Sequence, residues 1–319
     1  MPVNTATEKA EIRQMQDIDL DAADHVMRLA FGTFLGLPDP ARFMGDADYV
    51  RSRYAANPGG AFVAELDGEV VGSNFTTRWG SVGFFGPMTV HPRLWDGGIG
   101  ALLVEAAVGR LDTWGVTHAG LFTFPASTKH VGLYRRFGFW PRSLTAVMRK
   151  PVDPAGTVRA MKLSNLGAAG RSATIEAVAE LAESVHPGLD LRREIDTTTR
   201  LGLGDTVILG DTGYITGFAV CQYGPGSEAG SGACYIKFGA VRSDARAGAE
   251  FEKLLAACEA TAVEVGAQWL DAGTSYSRPD AMGRMNAAGF RAVLNGVSMH
   301  RPDEPGYHRP DAYVIDDWR

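Results

Sequence analysis

The chain runs through one pattern twice. Val90 ends a strand-like segment just before a glycine-rich turn, and Val241 ends the matching segment 151 residues later. The pair Gly138 and Phe139 recurs as Gly289 and Phe290 at the same offset of 151. Everything between the two landmarks has kept its length, which two unrelated domains would not do. Gly72 and Gly217 stand 145 residues apart, so the second copy carries an insertion of six residues, expected in the stretch YGPGSEAGSG at 223–232. With 319 residues there is room for two ordinary domains, and the shared register makes a duplicated unit the expectation.

Within each copy, strand-like and helix-like segments alternate. The first copy opens with a short strand at 11–15, then the helical stretch DLDAADHVMRLAFGTF, with Asp21 as its cap. A short helix is expected at 47–55, and a hairpin turns at Asp67 and Gly68. A strand follows, SVGFFGPMTVHP, then an apolar helix at 99–114, the strand THAGLFTFPAS, a short helix ending at Gly138, and the strand SLTAVMRKPV. The second copy repeats the order from VRAMKLSN to FRAV. The fold class read from this is α/β, or α+β: two tandem domains, each a mixed, mostly antiparallel central sheet flanked by helices. Domain boundaries are placed at 11–150 and 158–302, with a proline-bearing linker at 151–157 and a tail at 303–319. That tail carries Tyr307, Tyr313, Ile315 and Trp318, apolar groups that favour a packed arm over a loose end.

Composition narrows the function classes. Hydrophobic residues at 45% and charged residues at 21% describe a soluble globular protein. A net charge of −6 without a basic run argues against nucleic acid or an anionic membrane as partner. No apolar signal core opens the chain and no stretch reaches the length of a membrane span, so a cytoplasmic location is expected. Cys221, Cys234 and Cys258 lack the spacing of a disulfide framework or a zinc cluster and read as buried thiols, and no metal is expected.

The densest chemical signal is TVHPRLWDGGIGALLVEAA, residues 89–107. Gly97, Gly98 and Gly100 lie between a strand and an apolar helix, where a bare backbone can turn tightly and present amide protons to phosphate oxygens. A tight turn with no ligand is the plain alternative. The spacing is neither a dinucleotide fingerprint nor a Walker loop. The segment resembles the phosphate loop of the GNAT superfamily of acetyl-coenzyme A-dependent N-acyltransferases, through Val90, Pro92, Gly98, Gly100, Leu102 and Leu103. It departs from the family pattern at Trp95, where Arg or Gln is usual, and at Asp96, which replaces a common glycine. A second stretch, HVGLYRRFGF, resembles the family's C-terminal signature, in which Leu-Tyr is followed shortly by Gly-Phe, here Leu133, Tyr134, Gly138 and Phe139.

The resemblance implies a tandem GNAT fold and an acetyl-CoA cosubstrate. It implies that Met88 and Val90 hold the pantetheine arm and the thioester carbonyl by their backbone groups. Gly97, Gly98, Ile99, Gly100 and Ala101 would receive the pyrophosphate. Tyr134 would protonate the departing sulfur, and Ser127 would supply the support an Asn gives in relatives. A core tyrosine with its hydroxyl at the edge is the alternative for Tyr134. The strand at Phe84 and Phe85 lacks the family's occasional carboxylate base, and neither His91 nor His130 is singled out in its place. Phe31, Phe34, Leu37 and Phe43 are candidates for an apolar acceptor wall or for ordinary core.

The 151-residue register maps Trp95 to Arg246, Gly98 to Ala249, Gly100 to Phe251 and Tyr134 to Met285. The second copy therefore lacks the bare backbone and the phenol, and reads as a degenerate GNAT-like domain. The function expected is acetyl transfer to the amine of a small molecule, by direct attack in a ternary complex. A non-catalytic coenzyme A sensor or protein-interaction module is the alternative. Nothing in the sequence decides oligomeric state.

Overall fold

A computed structural model describes residues 10–154 and 160–319, so the expected linker lies partly outside the described residues. The first half runs β1 (Glu11–Gln14), α1 (Leu20–Phe34), α2 (Tyr49–Ala56), β2 (Ala61–Leu66), β3 (Glu69–Trp79), β4 (Val82–Phe85), β5 (Thr89–Val90), α3 (Ile99–Thr113), β6 (His118–Thr123), α4 (Thr128–Arg135) and β7 (Trp140–Pro151). The second runs β8 (Met161–Lys162), α5 (Ala168–Val185), α6 (Arg192–Arg200), β9 (Gly204–Asp211), β10 (Tyr214–Gly224), β11 (Gly230–Val241), α7 (Ala247–Glu264), β12 (Trp269–Ser275), α8 (Pro279–Ala287), β13 (Arg291–Arg301) and β14 (Val314–Ile315). Among the described residues no helix is long and apolar enough to cross a membrane.

Local chemistry accounts for most of these elements. Asp67 and Gly68 both take positive φ, 52° and 83°, as a two-residue hairpin turn requires. Asp48 caps α2 by accepting from the Arg51 amide at 2.8 Å. Asp21, the expected cap of α1, lies inside the helix; Asp19 instead fixes the entry by accepting from the Gln16 amide at 2.7 Å. Ala61 and Val63 on β2 join the core under α1 and α2, while Phe62 and Ala64 join the one under α3. Helices cover both faces, which is why β2 is apolar and buried from Ala61 through Ala64.

Fourteen described strands hydrogen-bond into one sheet, mixed and mostly antiparallel. The parallel pairs are β4 with β6 and β11 with β12. At its centre the order is β6, β13, β7, β12, so β7 of the first half and β13 of the second are each inserted beside a strand of the other half. Ala146 and Met148 of β7 are buried in the core of the second half, and Val297 and Met299 of β13 in that of the first. The boundary at residue 150 therefore does not divide the chain into separable bodies, because strand exchange joins the cores on either side of it.

Several ladders recur in the expected register. Val82 pairs with His118, and Ala233 with Trp269. Thr123 pairs with Val297, and Thr274 with Ala146. Gly72 pairs with Val90 and Gly217 with Val241, so the six added residues fall after Gly217, in the loop from β10 to β11. Thr145 of β7 pairs with Gly296 of β13, the residue 151 positions on. A Cβ at Gly296 would stand 2.1 Å from the Phe122 ring, so a larger residue there would have to displace that ring.

Candidate active site

The strands β4 and β6 run parallel from Val82 and His118 to Phe84 and Gly120 and then diverge. On its other edge β6 pairs with β13 from Ala119 to Thr123, while the chain of β4 continues through Gly86 and Pro87 into β5, which pairs among the described strands with β3 alone. The single strand expected over 81–92 is thus broken in two. The His91 amide donates to the Val71 carbonyl at 2.8 Å. By the alternation of an antiparallel strand, the amides of Met88 and Val90 then point the other way, into the opening.

This opening is a groove of about 540 Å³. Of the residues expected at the cofactor, Met88, Val90, Gly98, Ile99, Gly100, Ala101 and Ser127 line it and Gly97 does not. Gly98 takes φ 84° as the residue before α3, so the turn needs a glycine there. Above it, the first amides of a 15-residue helix have no carbonyl partner within the helix. Ala101 is the exception at this end, since its amide bonds the Gly98 carbonyl at 3.0 Å. A Cβ at Gly100 would stand 3.7 Å from Met88 and 3.8 Å from Leu133, so packing alone does not demand glycine here.

Both departures from the family pattern have local partners. The Trp95 indole donates to the Val90 carbonyl at 2.8 Å and folds back on the strand end. Asp96 pairs with Lys129 at 2.5 Å, so its charge is met within the groove wall. Arg136, which no local motif marks, also lines the groove and adds a second cation.

Tyr134 lies in an adjoining cavity of about 270 Å³, which shares Phe31, Met88, Phe124 and His130 with the groove. Burial pushes its phenol above the ordinary value, so the hydroxyl carries its proton at neutral pH. His130 stands one helical turn before Tyr134, on the same face of α4, and Ser127 caps that helix by accepting from the His130 amide at 3.3 Å. Burial, and then Lys129, lower the His130 pKa, which favours the neutral imidazole. His91 is differently placed: its Nδ1 accepts from the Arg93 amide at 3.2 Å, and it lines neither cavity. Phe31 and Phe43 stack at 5.4 Å in the wall of the second cavity, and Phe34 packs on Phe124 at the groove, whereas Leu37 lines neither. Leu294 of β13 and Trp318 and Arg319 of the tail complete the second cavity, a contribution that no local motif signals.

The corresponding place in the second half is filled by the tail. There β14 pairs with β11 at Gly239 and Ala240, the counterparts of Met88 and Thr89. Arg278, counterpart of Ser127, is fully buried; it donates to the Val314 carbonyl at 3.1 Å and pairs with Asp316 at 2.6 Å. Phe251, counterpart of Gly100, packs on Tyr313 at 5.4 Å. The tail then crosses to the first half, where Trp318 fits against Gly120; a Cβ there would stand 2.0 Å from its ring.

A buried charge cluster ties the inserted loop to the same region. Glu228, within the six-residue insertion, chelates Arg53 with two bonds of 3.0 Å and accepts from Lys237 at 2.8 Å. Burial opposes its charge, but Arg53 and Lys237 outweigh that and hold the carboxyl down at about 2. Arg53 in turn donates to the Gly86 carbonyl at 2.5 Å, at the break between β4 and β5.

Residues 28–139 match the Acetyltransferase (GNAT) family. Over nearly its full length the chain shares its fold with solved structures. A candidate acetyltransferase from Pyrococcus horikoshii is 17% identical, with a TM-score of 0.68 over 98% of this chain and 95% of that one. A GCN5-related N-acetyltransferase from Sphaerobacter thermophilus is 20% identical, with a TM-score of 0.62 over 94% and 97%. Another from Kribbella flavida is 16% identical, with a TM-score of 0.51 over 91% and 70%. At such identities the likeness is one of fold. Among curated proteins, none matches the chain in sequence.

Proposed function

We propose that the first half transfers an acetyl group from acetyl-CoA to the amine of a small molecule, by direct attack with both substrates bound. The observation that carries this reading is the junction of β5 and α3. Outward amides at Met88 and Val90 lead straight into a helix N-terminus whose backbone Gly98 and Gly100 leave bare, all inside the segment that matches the acetyltransferase family. We also read the two halves as tandem copies of one unit, of which the second is degenerate. The recurring ladders and the tail seated among the counterparts of the groove residues support that reading.

Acetyl-CoA supplies an activated thioester. The α3 amides, with Lys129 and Arg136 beside them, suit its pyrophosphate, and the Met88 and Val90 amides suit the pantetheine arm and the thioester carbonyl. As the amine nitrogen bonds the acetyl carbon, the carbon–sulfur bond breaks. One amine proton passes to a base and the departing thiolate takes one from a donor. Neutral His130 is the group with access to both cavities for the first task, and the protonated Tyr134 phenol is the group for the second.

Calorimetry with acetyl-CoA, followed by thiol release over a panel of amines, tests the reading. Tyr134→Phe should lower kcat by roughly 10²-fold or more and leave acetyl-CoA binding intact. An unchanged kcat removes Tyr134 as the donor, and binding without turnover on any amine turns the reading into that of a coenzyme A sensor.

A further inference from the structure

Resting on the transferase reading, we propose that the acceptor is a primary amine carried on an aromatic body, about the size of a phenethyl or indolylethyl group. The cavity lined by Met88 and Tyr134 is the place for it, since it shares walls with the donor groove and has Tyr134 among its lining residues. Its lining is dominated by hydrocarbon and aromatic surface, with Phe31, Phe43, Phe85, Phe122 and Trp318 around a space of about 270 Å³. No carboxylate side chain is among the lining residues, which instead include Arg319. A polyamine or an aminoglycoside would leave several ammonium groups stripped of water without a counter-charge, at a cost of several kcal/mol each. A flat apolar body loses nothing by leaving water and gains the buried area.

The rim carries the same preference. Leu35, Met44 and Leu294, which line this cavity, are 46%, 38% and 38% exposed, and together they offer apolar surface that suits an apolar body. Two pieces of the rim and wall come from outside the first half: Leu294 from the exchanged strand β13, and Trp318 from the tail that crosses from the second half. The second half thereby shapes the acceptor site of the first.

The test uses the full chain and measures donor and acceptor separately. Acetyl-CoA binding is read by calorimetry, and transfer is read by thiol release with phenethylamine, tryptamine, spermidine and kanamycin as acceptors. The expected result is a KM for phenethylamine or tryptamine at least tenfold below that for either polycation. Leu294→Glu should raise the KM for the aromatic amines at least tenfold without changing acetyl-CoA affinity, and Phe43→Ala, a change within the cavity that leaves the sheet intact, should do the same. Acetyl-CoA binding with spermidine or kanamycin as the better acceptor overturns the acceptor class and leaves the transferase reading standing. Octanoyl-CoA binding at least tenfold tighter than acetyl-CoA would assign the cavity to a longer acyl chain and also overturns it. No binding of acetyl-CoA at all overturns the transferase reading, and the acceptor falls with it.

Discussion

On the proposed reading, the missing side chain at Gly100 is what leaves room for the coenzyme. A methyl there would meet Met88 and Leu133 at ordinary contact distance, so Gly100→Ala should fold normally and show near-native thermal stability. Gly100→Phe copies the residue that the second half carries at Phe251. It should fill the groove and reduce acetyl-CoA affinity by roughly 10²-fold or more, read by calorimetry, while circular dichroism stays native. Retained affinity in the Phe variant would mean that the coenzyme does not cross Gly100. Gly98 is a different case, since its φ of 84° is closed to most side chains and its replacement costs about 1–2 kcal/mol of stability whatever binds. The two glycines flank a single residue of the motif and look alike in the sequence, and only the backbone angles separate their roles.

Among the elements, the tail has the most consequence for pH dependence. It buries His308 beside His300 of β13 and His118 of β6, whose Nε2 lies 3.1 Å from the His300 Nδ1. Burial, and then the neighbouring His300, push His118 down to about 3; burial pushes His300 down to about 4, partly offset by the Glu304 carbonyl; burial and Arg278 lower His308 as well. An unfolded chain takes up these protons near the ordinary 6.5, while the folded chain refuses them until lower pH. The stability they contribute is therefore complete above 6.5 and lost as pH falls from there toward about 4, by up to about 1.4 kcal/mol per pH unit for each imidazole. Thermal melts should show Tm falling between pH 7 and pH 5, and His300→Gln should flatten that slope; a slope unchanged by the substitution would rule the cluster out as its source. This element also marks the limit of what the sequence discloses. The loop after β5, the α4 signature and the hairpins are legible because turn glycines, caps and apolar periods are local signals. The two-residue strand β14 has no such signal, since its pairing with β11 depends on Gly239 and Ala240, far upstream in the chain. The polar helix α6, RREIDTTTR, lacks an apolar stripe and is held by tertiary contacts, with Ile195 and Glu194 buried. Met88 and Val90 can be chosen from sequence, but the outward turn of their amides follows from β5 pairing on one side only.

For the whole molecule, the exchange of β7 and β13 decides what can be cut. Ala146 and Met148 complete a core that begins after residue 160, and Val297 and Met299 complete one that ends before it. Residues 1–154 made by themselves should expose one edge of β6 and give a molten or aggregated product. Adding residues 155–319 during refolding should restore soluble protein with a cooperative melt, and a well-folded isolated first half would contradict the exchange. The seat of the tail in the second half has a further consequence. Val314 and its neighbours are joined to β13 by a short stretch of chain, and such a tether holds a segment at its site at an effective concentration on the order of millimolar. A soluble molecule competing for that seat would have to exceed this level, as well as displace the Arg278–Asp316 ion pair. On the proposed reading, the second half is thereby a receptor saturated by its own chain, and calorimetry should find a single molecule of coenzyme bound per chain.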